Sequence, residues 1–258
     1  MSVGIDVSLG EVAASLILVA LALAVSFRWR TGLEPDYVIA VVRSFIQLTA
    51  IGYVIQAIFD EDTLVLVVAL IVVMVVFGAY TARARAARVP GAFVPLLIAL
   101  SVAAATTLAL VVGLGIFEPE PRYLVPVGGM VIGNAMIAAA VSLNRLGDEM
   151  ADSAPKIEAT LALGATSAQA AEPSVRRSLR SGMIPMIDST KTTGLIFFPG
   201  TMVGMLLAGA EPVDAVRLQL VLLWSIFGSI AIATLIATRL AYRNFFTSAH
   251  QLRDRPAP

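Results

Sequence analysis

The sequence predicts an all-α, polytopic integral membrane protein with about seven transmembrane helices. Composition is the first observation: 58% of the 258 residues are apolar and only 14% are charged, where a soluble domain carries about a quarter charged. The mean hydropathy of +0.87 is the second. The third is a series of apolar stretches about 17 to 25 residues long, each sufficient to cross the hydrocarbon core as a helix. One transmembrane domain over 1–258 is expected, with a cytoplasmic helical segment at 144–190.

The spans fall at 9–27, 37–58, 64–80, 95–116, 124–143, 192–208 and 218–238. Asp6 and Glu11 stand at the start of the first span, and Arg28 and Arg30 follow it. Without a basic leading region it reads as a retained anchor with its N-terminus outside, not as a cleaved signal peptide. Lys and Arg collect in cytoplasmic connections. All of the 18 basic residues except Arg43, Arg122 and Arg217 fall at 28–30, 83–88, 145–191 or 239–255. The alternate connections are acidic, with Asp60, Glu61, Asp62, Glu118, Glu120, Glu211 and Asp214. The C-terminus is therefore expected in the cytoplasm of a multi-pass protein of the cell inner (plasma) membrane.

The segment 144–190 is too polar to cross and too patterned for a linker. Ile157, Leu161, Gly164, Ala168 and Ala171 recur at helical spacing. Asp152 and Ser153 are cap candidates, and Pro155 suits a first turn. Pro173 is expected to end that helix, with a second helix following at 174–184 that carries Arg176, Arg177 and Arg180. Such a pair either rests on anionic headgroups as a basic amphipathic surface or docks a partner.

Within the spans, Gly129 and Gly133, and Gly200, Gly204 and Ala208, set small residues four apart, a spacing that lets helices approach closely. Asn134 is a polar group at membrane depth, where an amide must bond across helices or face water. Arg43 and Gln47 share one face of the second span, and Asp188 and Lys191 form a candidate interfacial pair. Met130, Met136, Met183, Met186, Met202 and Met205 supply soft thioether sulfur. No carboxylate, His or Cys accompanies them, so packing accounts for these methionines.

Several classes are excluded. Net charge is zero, which gives no basic surface for nucleic acid. There are no cysteines, hence no disulfide or thiolate site, and the one histidine, His250, lies in the polar C-terminal tail. No nucleotide-phosphate loop of the form G-x-x-x-x-G-K-[ST] occurs, nor the H-E-x-x-H metalloprotease pattern.

The ordered motifs resemble those of the FetB-like permeases of ATP-binding-cassette (ABC) transporters, whose bacterial members are associated with iron export and whose plant relatives are aluminium-tolerance proteins. The resemblance runs from the second span to the seventh. It rests on Arg43, Gln47-Leu48 and Ile51-Gly52-Tyr53 through Phe59; Gly133-Asn134-Ala135-Met136; Leu161-Ala162-Leu163-Gly164-Ala165; Pro185, Lys191-Thr192 and Gly194; and Pro199-Gly200, Met202, Gly204, Leu207-Ala208-Gly209, Pro212, Ala215 and Gln219. The family pattern after Pro-Gly reads closer to Met-Met-Thr-Gly-Gln, whereas here Val203 and Met205 replace the Thr and Gln.

The resemblance implies a permease that binds no cofactor itself and works with a separate ATPase carrying ATP and Mg, as two permease copies with two ATPases. Glu158, Leu161, Gly164, Ala165 and Ala168, with Arg176, Arg177 and Arg180, are then the expected ATPase-coupling residues. Arg43, Gln47, Asn134, Met136, Lys191, Met202 and Met205 are the expected translocation path. The substrate, and whether a metal binds, are not written in the residues. A self-sufficient secondary transporter or channel is the alternative, although it calls for inverted repeats or buried titratable groups that the sequence lacks.

Overall fold

The computed structural model describes residues 8–61 and 63–253; Asp6, Asp62 and Arg255, used above for topology, lie outside them. The helices are α1 (Leu9–Trp29), α2 (Glu34–Glu61), α3 (Leu64–Arg85), α4 (Phe93–Gly113), α5 (Pro121–Asp152), α6 (Ala154–Ala162), α7 (Ser167–Thr192), α8 (Gly200–Leu207) and α9 (Pro212–Ala241), followed by a 3-10 turn, Tyr242–Phe245. Six of the described helices, α1 to α5 and α9, are long and apolar enough to cross a membrane.

α5 is the axis of the bundle, packed against α3, α4, α7 and α9, with α4 closing against α9. The seam is made of small side chains: Ala79, Ala99, Ala103, Ala135, Ala139, Ala233 and Ala237 are fully buried. Small residues suit a bundle in lipid, where helices associate through close backbone packing and not by escape from water. By contrast, α1 and α2 form a peripheral hairpin, closed by the Ser26 hydroxyl, which donates to Glu34 Oε1 at 2.7 Å. The hairpin meets the bundle where Ile58 packs with Val67, Leu124 and Val125.

The loops segregate by charge. At one end Arg88 pairs with Asp148, and Asn244 Nδ2 donates to the Pro90 carbonyl at 2.8 Å. The α3–α4 turn, the end of α5 and the end of α9 thus gather together. At the other end Phe59, Glu120, Pro121 and Arg122 line a shared recess. The basic and acidic connections therefore occupy opposite ends of one bundle.

Three expectations are corrected. Pro173 does not end a helix: α7 runs unbroken through both Pro173 and Pro185. Each ring withholds a donor, from the Gln169 and Ser181 carbonyls four residues earlier, but Ala171, Ser174, Ser178 and Gly182 are buried and hold the helix in the bundle. The break comes instead at Gly164, which is not on a helical face but in a turn at φ +90°.

The sixth span, expected as one helix over 192–208, is not a single helix, and neither α7 nor α8 is among the six described helices long and apolar enough to cross a membrane. The stretch consists of the end of α7, a non-helical link at 193–199 and α8. Gly194 takes φ +88°, and Thr193 bridges Phe197. Non-helical backbone has to find partners for its polar groups outside a helical ladder. Here the Thr192 carbonyl accepts from the Leu195, Ile196 and Phe197 amides, at 3.0 to 3.3 Å.

Candidate functional site

α5 turns one stripe, Asn134, Ile137, Ala138 and Val141, towards α7. With Gly182, Pro185, Met186 and Ser189 of α7 and Ile230 of α9, it lines a cleft of about 190 Å³. The register is antiparallel, running from Ser142 beside Gly182, through Asn134 and Ser189, to Met130, whose Sδ lies 3.8 Å from Thr201 Oγ1 of α8. Gly182 is what permits the crossing. A Cβ there would fall 2.0 Å from Ser142 Oγ and 2.7 Å from the Ala138 carbonyl oxygen.

Asn134 satisfies half its amide locally, Nδ2 donating to the Met130 carbonyl at 2.8 Å. Asn134 lines the cleft, and the Met186 thioether stands among the opposing residues. Apart from Asn134 and Ser189, the side chains of the wall are apolar.

Of the expected path residues, Asn134 alone lines this cleft. Met136 faces α3, where a Cβ on Gly78 would touch its Sδ at 3.7 Å. Arg43 stacks over Phe77 at 5.5 Å, and Gln47 is exposed one turn along α2. Lys191 pairs with Asp188 at 3.4 Å on the exposed last turn of α7. Met202 and Met205 are half-buried on α8. Among the helix-packing glycines, Gly129 is tight, since a Cβ there would lie 3.1 Å from Met74 Cε, whereas at Gly133, Gly200 and Gly204 it would meet nothing within 4 Å in the protomer.

The second feature is the α6–α7 turn. At 32 residues α5 is about 48 Å long, against ~30 Å of hydrocarbon, so its last turns and α6 project beyond the core. The apolar face of this segment does not rest on headgroups: Ile157, Ala171 and Val175 are buried within the bundle, and Leu161 packs against it. Between Val141 and Ile184 the one exposed large hydrophobic residue is Leu163, 90% exposed at the tip of the turn.

Glu158 and Ala165 line one cavity beside this turn, and Ala168 and Arg176 line another on the opposite side. Arg176 is engaged by Glu172 at 2.6 Å, and Arg180 is exposed. Arg177, expected to reach a partner, instead bonds buried Glu149 of α5 at 2.6 Å; Arg145 pairs with the other oxygen of that carboxylate.

Sequence reasoning missed Glu149, Ser142 and Gly182. A signal for Gly182 exists: Ala171, Ser174, Ser178 and Gly182 place small residues three or four apart, a close-packing stripe within an otherwise polar helix.

The fold is that of a polytopic all-α membrane protein: a central helical bundle, a cleft between α5 and α7, a non-helical link between α7 and α8, and a helical turn at one end. The family model "Uncharacterised protein family (UPF0014)" matches residues 9–246, and the chain belongs to that family. It is 39% identical over 241 residues to the UPF0014 membrane protein STAR2 of Oryza sativa subsp. japonica, covering 93% of this chain and 85% of that one. Identity to Protein ALUMINUM SENSITIVE 3 of Arabidopsis thaliana is 39%, over 93% and 88% of the two chains. For the probable iron export permease protein FetB of Escherichia coli it is 36%, over 94% and 93%. No solved structure matches the chain.

Proposed function

We propose that this chain is the permease subunit of an ABC transporter that exports a metal ion such as iron, driven by a separate ATPase subunit carrying ATP and Mg. Two permease copies would pair with two ATPases, in the plasma membrane, with the N-terminus outside and the basic end of the bundle in the cytoplasm. The substrate class is taken from the relative named a probable iron export permease.

The observation that supports the reading most strongly is the continuity of α7. A single helix leads from Ser167, at the α6–α7 turn, to Ser189, in the cleft. Over that interval it is about 33 Å long. Coupling needs contiguous packed structure between two sites, and α7 supplies it: a displacement imposed on the turn moves Gly182, Pro185 and Met186 against Asn134. Glu149 and Arg177 bind the cytoplasmic part of α7 to α5, so the helix is loaded against the bundle axis. Leu163 is the contact through which the ATPase would grip.

The test is co-purification with an ATPase, followed by Leu163→Asp. That exposed position can change without disturbing the fold. The variant should keep its thermal midpoint and lose transport together with stimulation of ATP hydrolysis. A wild-type chain that transports with no ATPase present would refute the reading.

A further inference from the structure

Beyond the 3-10 turn the chain folds back on itself. Phe246 bridges Leu252 in antiparallel register, the Thr247 amide donates to the Gln251 carbonyl at 2.8 Å, and the Arg253 amide donates to the Phe245 carbonyl at 2.8 Å. Phe245 and Phe246 are buried, and Leu252 packs against the core. Residues 246–253 are therefore a built strap. Its apex is His250, in the left-handed region at φ +58°.

That apex reaches the start of α7. His250 Nδ1 lies 2.9 Å from Ser167 Oγ and accepts the Ser167 amide at 3.4 Å. Ser167 opens α7, where the first amides have no helical acceptor. Thr166 already serves the Gln169 amide in a capping box, so His250 adds an acceptor from far along the sequence. Between the strap and the turn lies a cavity of about 390 Å³, lined by Glu158, Leu161, Ala162 and Ala165 on one side and by 249–252 on the other.

We propose that this strap is the second half of the surface on which the ATPase seats, with His250 as the positioning residue that fixes the N-terminus of α7 beneath it. The proposal rests on the permease reading above. The turn itself offers little rigidity, because Gly164 has nothing within 4 Å of its missing Cβ and Leu163 is 90% exposed. A brace from the strap converts that tip into a fixed contact.

Charge and shape select the occupant. Lys156, Arg180, Arg239 and Arg243 are exposed at this end and form no ion pair among the described residues, against two such carboxylates, Asp152 and Glu158; the excess is basic, so the mating surface is acidic around a pocket for one leucine. A folded protein offers both. An anionic bilayer offers the charge without the pocket, and the apolar helix faces that interfacial binding needs are buried in the bundle.

The experiment uses the full chain in nanodiscs, alone and with the ATPase that co-purifies with the wild type. His250→Leu removes the acceptor. His250→Asn keeps an acceptor near the Nδ1 position and tolerates the left-handed backbone. In the permease alone, amide exchange at 163–170 should rise about five- to tenfold in His250→Leu, the loss of one hydrogen-bond brace, and return to wild type in His250→Asn.

ATPase affinity should fall and recover in the same two variants by a similar factor, while the thermal midpoint of His250→Leu drops only slightly, from the strain of Leu at a left-handed position. Unchanged ATPase affinity in His250→Leu overturns the inference and leaves the permease reading standing. So does a defect seen instead in binding of the chain's cytoplasmic end to vesicles containing anionic lipid. If no ATPase binds the wild-type chain, the permease reading fails first and takes this inference with it.

Discussion

α7 and the stretch that follows it behave contrary to their compositions. α7 is polar and contains two prolines, yet it is one helix of 26 residues; the apolar run at 193–208 is interrupted, with Leu195 and Ile196 largely exposed. The difference lies in what each has to pack against. α7 meets α5 along its length through Ala171, Ser174, Ser178 and Gly182, pinned by Glu149 and Arg177. The 193–199 link has Gly194 at positive φ and Pro199 just before α8, and three of its amides converge on the Thr192 carbonyl. Tertiary packing overrides both helix propensity and hydropathy.

The largest effect that would sharpen this contrast is Gly182→Leu. The new side chain has to displace Ser142 and the Ala138 carbonyl, and overpacking of this kind costs about 3 kcal/mol. A strongly lowered thermal midpoint in detergent is expected; a neutral result would separate α7 from α5. Next comes Glu149→Ala, which leaves Arg145 and Arg177 without their shared carboxylate. Both arginines are half-exposed, so the loss is about 2 kcal/mol, measurable by chemical unfolding.

Gly164→Ala forces a side chain into a left-handed turn and should cost about 1 kcal/mol without lowering the helix content seen by circular dichroism. A gain in stability instead would mean that α6 and α7 are continuous, since Ala is favoured over Gly inside a helix. The smallest effect belongs to the region with no close neighbours: Gly204→Ala, in open space, should change the stability of the isolated protomer by less than about 0.5 kcal/mol. A clear loss that appears only in the assembled dimer would identify α8 as a contact between copies.

The membrane class, the approximate positions of the long apolar helices and the segregation of charge are legible in the sequence because hydropathy and loop charge act over many residues. The site is less so. Asn134 stands out as an amide in an apolar span. Met136 and Arg43 do not reach the cleft, because which face of a helix meets which neighbour is set by tertiary register. Gly164 has the spacing of a small helical face, and spacing alone does not report its φ. Glu149 looks like one more charge at a helix end; its burial depends on α7 folding across it. The interruption at 193–199 does carry punctuation, in Gly194 and Pro199-Gly200, which the surrounding apolar residues outweigh.

The central claim is that α7 carries motion from the Leu163 turn to the Asn134 cleft. The chain contains no cysteine, so a single Met186→Cys reports on the cleft alone. Its reaction rate with a water-soluble thiol reagent should change when ATP is added to the permease–ATPase complex, and that change should vanish in the Leu163→Asp background while the chain stays folded. A response to ATP that persists in Leu163→Asp, or its absence in the Leu163 background with the ATPase bound, would contradict the account.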